Sequence, residues 1–181
     1  MQIETKPVDT TTWDDFEKLF RSKGGPSYCW CMAWRMNKEE LKQNTTANRY
    51  AFLKQRIWRG TPAGLLAYLD GEPAAWCSIA PRDSHHRLGG DESLKNVWSI
   101  TCFYVKREYR NMGLSKKLIA AAERYALENG AEYVEAYPVL PSSSSYRHMG
   151  FVKTFEAAGY EFRKMAGSRR HVMAKRSSSR P

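Results

Sequence analysis

The sequence predicts a mixed α+β domain, and two observations carry this prediction. The chain has 181 residues, of which 42% are hydrophobic and 13% aromatic. That length suits one domain with a sizeable core, and the aromatic content excludes a wholly disordered chain. The order of elements is the second observation: helical patterns come first, a strand hairpin follows, and a strand–loop–helix–strand unit occupies the centre.

The first sixty residues predict one strand and then helices. Alternation over 2–6 predicts the first strand. Apolar residues at helical spacing from Trp13 to Phe20 predict a helix, which Gly24-Gly25-Pro26 ends. Two further helical stretches begin at Asn37 and at Thr45, both of which are residue types that cap helices.

The signal changes to strands after Pro62. The Asp70-Gly71 turn predicts a hairpin, and the polar stretch 81–95 predicts a loop before a long apolar strand at 97–105. An amphipathic helix at 113–129 follows and ends at Gly130. The hairpin strands are predicted at 64–69 and 73–80, and the last strands at 131–139, 151–155, 160–165 and 171–175.

The turn from the central strand into the helix predicts an anion site. The helix begins at or near Gly113, and a helix start offers unpaired backbone N–H groups and the positive end of the helix dipole. Phosphate binds well to such a helix start. Ser115 adds a hydroxyl, and Lys116 adds charge. The alternative is an ordinary helix start that binds no ligand.

Two motifs resemble landmarks of the Gcn5-related N-acetyltransferase (GNAT) superfamily. The run Val105-x₄-Arg110-x-x-Gly113-x-Ser115 resembles its acetyl-CoA signature, and Tyr146-x-x-x-Gly150-Phe151 resembles its second landmark. The landmarks cover 97–155, whereas 1–96 fits only in outline. Lys106-Arg107 replaces a common x-Pro pair, Ser115 replaces a Gly or Ala, and 138–145 lacks an Asn that many members have.

The resemblance implies a GNAT fold in three layers, with a mixed sheet of six or seven strands and helices on both faces. It implies direct transfer of an acetyl group from acetyl-CoA to a primary amine of a small molecule, a peptide or a protein. Backbone groups of Phe103, Tyr104 and Val105 would bind the pantetheine arm. Arg110 and the following amides would hold the pyrophosphate; these residues are Asn111, Met112, Gly113, Leu114, Ser115 and Lys116. An acyl-CoA-binding module without turnover is the alternative.

The same resemblance gives Tyr146 the role of general acid, which protonates the departing thiolate. Glu135, on the strand after the helix, is the predicted general base, since burial of a carboxylate raises its pKa. His85 and His86 are alternatives because the ordinary pKa of histidine lies near neutrality. A reaction without a dedicated base is a further alternative. In the structural alternative, Glu135 pairs with a nearby cation and has no catalytic role.

The predicted pocket for the amine substrate combines two parts of the chain: the aromatic segment at 28–35 and the loop at 81–95 before the central strand. Aromatic walls suit a flat or amphipathic amine. Alternatively, Trp30 and Trp34 belong to the core on one helix face, because they are four residues apart. The predicted substrate-binding residues are Tyr28, Trp30, Trp34, His85, His86 and Tyr137.

Other functional classes receive little support. Cys29-x-Cys31 is one residue too tight for a zinc site, so no metal is predicted, and no apolar stretch is long enough to span a bilayer. The net charge of +10 raises the possibility of nucleic acid as a partner. However, seven of the cations lie in 163–181, which has no acid, and no nucleic-acid-binding motif is present. Nucleic acid is therefore not the expected partner.

The remaining predictions concern organisation. We expect one domain over 1–176 and a frayed tail over 177–181. The absence of an export signal favours the cytoplasm, where cysteines stay reduced. The resemblance also implies that a homodimer is possible.

Overall fold

The computed structural model describes residues 2–178, and seven strands within this range form one mixed sheet. The strands are β1 (Ile3–Pro7), β2 (Gly64–Leu69), β3 (Glu72–Pro81), β4 (Val97–Val105), β5 (Tyr133–Ala136), β6 (Glu161–Ala166) and β7 (Arg170–Arg176). Their order across the sheet is β1-β2-β3-β4-β5-β7-β6. Neighbouring strands are antiparallel except β4 and β5, which are parallel.

Helices cover both faces of this sheet. They are α1 (Trp13–Arg21), α2 (Lys38–Lys42), α3 (Thr46–Trp58), α4 (Leu114–Glu128) and α5 (Val152–Ala157). On one face, Trp13, Phe16 and Phe20 of α1 pack with Trp76 of β3 in an aromatic core. On the other face, the apolar side of α4 packs on β2, β3 and β4. The predicted three-layer α+β class is therefore confirmed.

The local sequence explains where α2 and α3 begin. Asn37 accepts hydrogen bonds from the amides of Glu39 and Glu40, and the Glu40 carboxylate accepts one from the Asn37 amide. This reciprocal capping box starts α2. Thr45 caps α3 in a simpler way, because its hydroxyl accepts from the amide of Asn48.

Two sequence predictions are wrong. The stretch 151–155 is not a strand: Phe151 forms a single parallel bridge with Val139, and α5 follows at once. Trp30 and Trp34 do not share a helix face, because the chain from 26 to 35 forms successive turns. Trp30 has a left-handed backbone with φ of 48°, which a regular helix does not tolerate.

Three further observations concern sequence predictions. The strand predicted at 131–139 is shorter: β5 covers only Tyr133–Ala136, and Val139 adds the single bridge to Phe151. No helix among residues 2–178 combines the length and apolarity needed to cross a bilayer. In the predicted tail, Ser177 still donates its amide to the carbonyl of Glu132 at 2.8 Å, and 179–181 lie outside the described residues.

Candidate active site

Strand β5 runs beside only the first four residues of β4. Pairing joins 97–100 of β4 to 133–136 of β5, after which β5 ends and β4 continues for five residues. A bulge lies at Thr101, where the register against β3 shifts by one residue. Residues 102–105 therefore pair with β3 on one side, and the stretch 101–105 has an open edge on the other. The backbone of 103–105, predicted to bind the pantetheine arm, lies on this open edge.

The turn after β4 provides the predicted phosphate site. Gly113 caps α4 with a φ of 76°, and a Cβ added there would meet nothing within 4 Å. Within residues 2–178, the backbone N–H groups of 111–116 find no oxygen to bond. Arg110 donates from Nε to the carbonyl of Val105 at 3.3 Å, and Lys116 is exposed. Free amides, a helix dipole and nearby cations together fit a pyrophosphate.

Tyr146 lies on a short segment that packs against β4. The segment continues as a 3₁₀ turn at 147–149, and Gly150 lies so close to the Phe103 ring that an added Cβ would be 3.5 Å from it. Tyr146 has a left-handed φ of 60° and is 37% exposed. Its ring centroid is 6.1 Å from that of Trp34, so two of the predicted site residues come together.

A chain of buried polar side chains runs beneath the bulge. Arg35 donates from Nη2 to the hydroxyl of Ser78 at 2.8 Å, and this hydroxyl lies 2.9 Å from the hydroxyl of Thr101. The Thr101 hydroxyl in turn lies 3.5 Å from Nε2 of His85. His85 is thereby placed next to the first residue of the open stretch of β4.

The protonation state of His85 follows from its surroundings. Burial lowers the pKa of His85 well below 6.5, and the positive charge of Arg35 lowers it further, against the smaller opposite effect of the Pro81 carbonyl. The ring is therefore neutral at neutral pH. Its Nδ1 is buried and has no partner within residues 2–178.

Glu135 has a different environment. It is fully buried, and Oε1 accepts from the amide of Asp91 at 2.8 Å. Oε2 accepts from the hydroxyl of Tyr137 at 2.5 Å and from Arg82 at 3.4 Å. Gly90 covers the carboxylate so closely that a Cβ there would lie 2.2 Å from Oε2. Because both oxygens are bonded and covered, this geometry favours the structural interpretation of Glu135 over the catalytic one.

The other predicted pocket residues separate into different places. Trp30 is 1% exposed and stacks on Phe20, so it is a core residue and not a pocket wall. Tyr28 is 68% exposed near α3, and its carbonyl accepts from Arg49. His86 is exposed and lines a surface groove with residues of α2, and Tyr146 is not part of that lining.

Two buried arginines were missed by the sequence analysis. Arg35 is 1% exposed, and burial lowers its pKa to about 10. Arg170, the first residue of β7, is 9% exposed and packs against Trp34, Tyr137 and Tyr146. Arginine in a sequence normally indicates surface, so no signal identified the burial in advance. Arg170 brings together three predicted site residues.

The fold and these features define a class: a mixed-sheet α+β protein in which a turn of unpaired amides at 111–116 lies beside a split pair of parallel strands. The sequence model of the acetyltransferase (GNAT) family matches residues 12–151, and the chain belongs to that family. The resemblance inferred from the two motifs is thereby confirmed. None of the curated proteins matches the chain by sequence.

Solved structures resemble the whole chain at low sequence identity. PaiA N-acetyltransferase from Thermoplasma acidophilum, in complex with coenzyme A, is 17% identical, with 97% of this chain and 99% of that chain covered and a TM-score of 0.60. A GNAT-family acetyltransferase from Listeria monocytogenes is 14% identical, with 96% and 94% covered and a TM-score of 0.62. The ribosomal-protein-S18-alanine N-acetyltransferase from Escherichia coli is 10% identical, with 99% and 97% covered and a TM-score of 0.54. At these identities the similarity concerns the fold alone.

Proposed function

We propose that this protein is an N-acetyltransferase that moves the acetyl group of acetyl-CoA directly to a primary amine. The observation that carries the proposal is the row of six unpaired amides at 111–116, placed at the end of the open stretch of β4. Membership of the acetyltransferase family supports the same reaction. Acetyl-CoA supplies an activated acetyl group as a thioester.

In this proposal the chain binds acetyl-CoA through backbone groups. The amides of 111–116 hold the pyrophosphate, and Arg110 and Lys116 add positive charge. The open edge at 103–105 binds the pantetheine arm as an added strand would bind, through main-chain hydrogen bonds. A backbone N–H near Val105 bonds the thioester carbonyl oxygen and stabilises the negative charge that develops there.

Tyr146 acts as the general acid. The amine nitrogen forms a bond to the acetyl carbon, the carbon–sulfur bond breaks, and the electron pair stays on sulfur. The hydroxyl of Tyr146 then gives its proton to the thiolate. Its partial exposure and its position beside β4 support this role.

His85 is the proposed base, in place of Glu135, and it takes the proton that the amine nitrogen loses as this nitrogen bonds the acetyl carbon. A base has to be unprotonated and able to reach the amine. The neutral ring of His85 meets the first condition, and its position beside Thr101 at the start of the open edge supports the second. Glu135 fails the second condition, because Asp91, Tyr137 and Arg82 occupy its oxygens.

The amine substrate binds beside Trp34 and Tyr146 in this proposal, whereas Tyr137 is fully buried and lies on the protein side of Arg170. The proposed domain is 1–176, and the four free cysteines support a reducing compartment such as the cytoplasm. The homodimer implied by the resemblance remains a prediction.

The experiment measures two quantities on the same preparation: the affinity for CoA by calorimetry, and thiol release from acetyl-CoA with a panel of amines. The panel includes polyamines, aminoglycosides, aromatic amines, amino acids and short peptides. The expected result is CoA binding together with thiol release that depends on at least one amine. CoA binding without thiol release over the whole panel would contradict the proposed reaction and indicate an acyl-CoA-binding module.

A further inference from the structure

We infer that the amine substrate also carries a carboxylate and that Arg170 binds this carboxylate. The inference rests on the proposed acetyl transfer and specifies its substrate class: a small amino acid-like molecule, in which the amine and the carboxylate lie a few bonds apart. It starts from the positive charge of Arg170, which no carboxylate within residues 2–178 balances.

Arg170 is a buried cation that forms no ion pair with any carboxylate of residues 2–178. Its guanidinium carbon lies 4.6 Å from the ring centroid of Trp34, 5.4 Å from that of Tyr146 and 6.0 Å from that of Tyr137. One N–H of the five donates to the carbonyl of Leu88 at 2.8 Å. Burial lowers the pKa of Arg170, against the smaller opposite effects of the two tyrosines. Aromatic faces attract the charge but accept few hydrogen bonds, so most of its donors are left for a ligand.

Four other arginines among residues 2–178 have carboxylate partners: Arg21, Arg56, Arg82 and Arg163. Arg56 pairs with Glu40 at 2.7 Å, and Arg163 pairs with Asp91 at 2.8 Å, although both are more exposed than Arg170. Within residues 2–178, no carboxylate oxygen lies within 4.0 Å of Arg170. A buried charge without a partner is expensive, and proteins normally pair or hydrogen-bond it. The missing partner is therefore a candidate for a ligand group.

The surroundings of Arg170 add no compensating negative charge. Arg35, which is almost wholly buried, also has no carboxylate within 4.0 Å among residues 2–178, and it lies on the same face of the sheet. His85 is neutral, as its lowered pKa requires. Glu135 is the nearest buried acid on this face, and it is bonded to Arg82. The face thus carries a net positive charge where the amine substrate is proposed to bind.

A carboxylate satisfies this site better than any neutral group. Its two oxygens match the planar fork of a guanidinium, and its charge balances the buried cation. Arg170 touches the ring of Tyr146, so a carboxylate bound there places the rest of a small molecule next to the proposed general acid. The indole of Trp34 lies on the same guanidinium and provides an apolar wall for the carbon atoms of the substrate.

Matched pairs of amines test the inference. Thiol release is measured with L-amino acids and with their carboxamides, which keep the amine and the side chain but lack the charge. The wild type is expected to use the better acids with a kcat/KM about tenfold or more above their amides, since a hydrogen bond to a charged group is worth this much. Equal use of acids and amides overturns the inference.

Arg170→Gln is the decisive variant, and Arg176→Gln is its control. Arg176 lies at the exposed end of the same strand, so its replacement removes the same charge far from the pocket. Arg170→Gln is expected to lower kcat/KM for the acids by about tenfold to a hundredfold and to leave the amides within about twofold. An equal loss on acids and amides would assign Arg170 to the acetyl group instead, and it would overturn the inference.

Binding measurements separate this inference from the proposed reaction. Calorimetric titration of the CoA-loaded wild type with the same acids and amides requires no turnover. Binding of acids but not amides supports the carboxylate site even if no thiol is released, a result that would contradict only the transferase.

Should Arg170→Gln fail to fold, Arg170→Lys keeps the charge but loses the fork, and it is expected to retain part of the preference for acids. If Arg170→Lys loses the whole preference for acids while its CoA affinity and its use of amides stay unchanged, this result also supports Arg170 as the carboxylate ligand. An unchanged preference for acids in Arg170→Lys contradicts it.

Discussion

The two halves of β4 differ in how many of the polar groups beside them have hydrogen-bond partners. Beside the first half, at 97–100, the hydroxyl of Ser99 lies 3.1 Å from that of Tyr137, which donates to Glu135. Beside the second half, at 101–105, the strand has an open edge, and buried nitrogen atoms nearby lack partners within residues 2–178. These atoms are Trp34 Nε1, Arg35 Nε and His85 Nδ1.

This difference teaches how to distinguish a structural polar group from a functional one. A carboxylate whose oxygens are all bonded stabilises the fold and has little capacity for a substrate. Buried donors without partners carry a free-energy penalty that a ligand can relieve. Substitutions in the first half should therefore change stability, and substitutions in the second half should change kinetics.

The largest expected effect is that of Tyr146→Phe in the second half. Loss of the hydroxyl removes the proton donor, so kcat should fall by about a hundredfold or more. The affinity for CoA, measured by calorimetry, should stay unchanged because the ring remains. Tyr125→Phe, on the opposite face of the sheet, is the control and should keep full activity. Unchanged kcat in Tyr146→Phe would remove the proposed general acid.

Glu135→Gln tests the first half. Replacing one partner of a buried ion pair should lower the free energy of unfolding by about 3 kcal/mol, measured by urea denaturation. The kcat should change by less than about threefold, since general-base catalysis would require a loss of a hundredfold or more. Glu132→Gln, an exposed change just before β5, should affect neither quantity. A large loss of kcat at unchanged stability would restore Glu135 as the base.

Gly113→Asp tests the phosphate turn at the end of the second half. The aspartate places a negative charge at the amides of 111–116, so the Kd for CoA should rise about tenfold or more. Gly130→Asp is a matched control, because Gly130 also has a positive φ and open space around its Cα but lies at the other end of α4. An equal rise in Kd in both variants would contradict a phosphate site at Gly113.

The smallest expected effect is a change in the pH dependence of stability at His85. Because burial lowers the pKa of His85 below its unfolded value of 6.5, the unfolded state binds more protons there as the pH falls below that value. The free energy of unfolding is therefore higher at higher pH and decreases as the pH falls below 6.5. His85 contributes at most about 1.4 kcal/mol per pH unit to this slope. Unfolding free energies from about pH 8 to about pH 5 should show a smaller slope in His85→Gln than in the wild type. Equal slopes in the two proteins would contradict a buried neutral His85.

The sequence predicted elements well where the pattern was long. The apolar run 97–105 became β4 residue for residue, and the two motifs identified the turn at 111–116. Short runs were ambiguous: 151–155 contains Phe and Val, which suit a strand, but five residues cannot distinguish a strand from one helical turn.

The site was predicted only in part, because burial decides which residues belong to it. Tyr146, Trp34 and Tyr137 do come together, whereas Trp30 does not, since its left-handed backbone directs it into the core. Arg170 appeared in the sequence as one of seven cations in a basic C-terminal stretch. Only the packing of β7 against the aromatic segment distinguishes it from its exposed neighbour Arg169.

The division of β4 is tested most directly by amide NMR spectra recorded during a titration with CoA. The largest shift changes are expected at the amides of 103–105 and 111–116, with small changes at 97–100 and 133–136, where the strands are already paired. Changes concentrated at the paired residues, with the turn at 111–116 unaffected, would contradict the assignment of the open half of β4 to the cosubstrate.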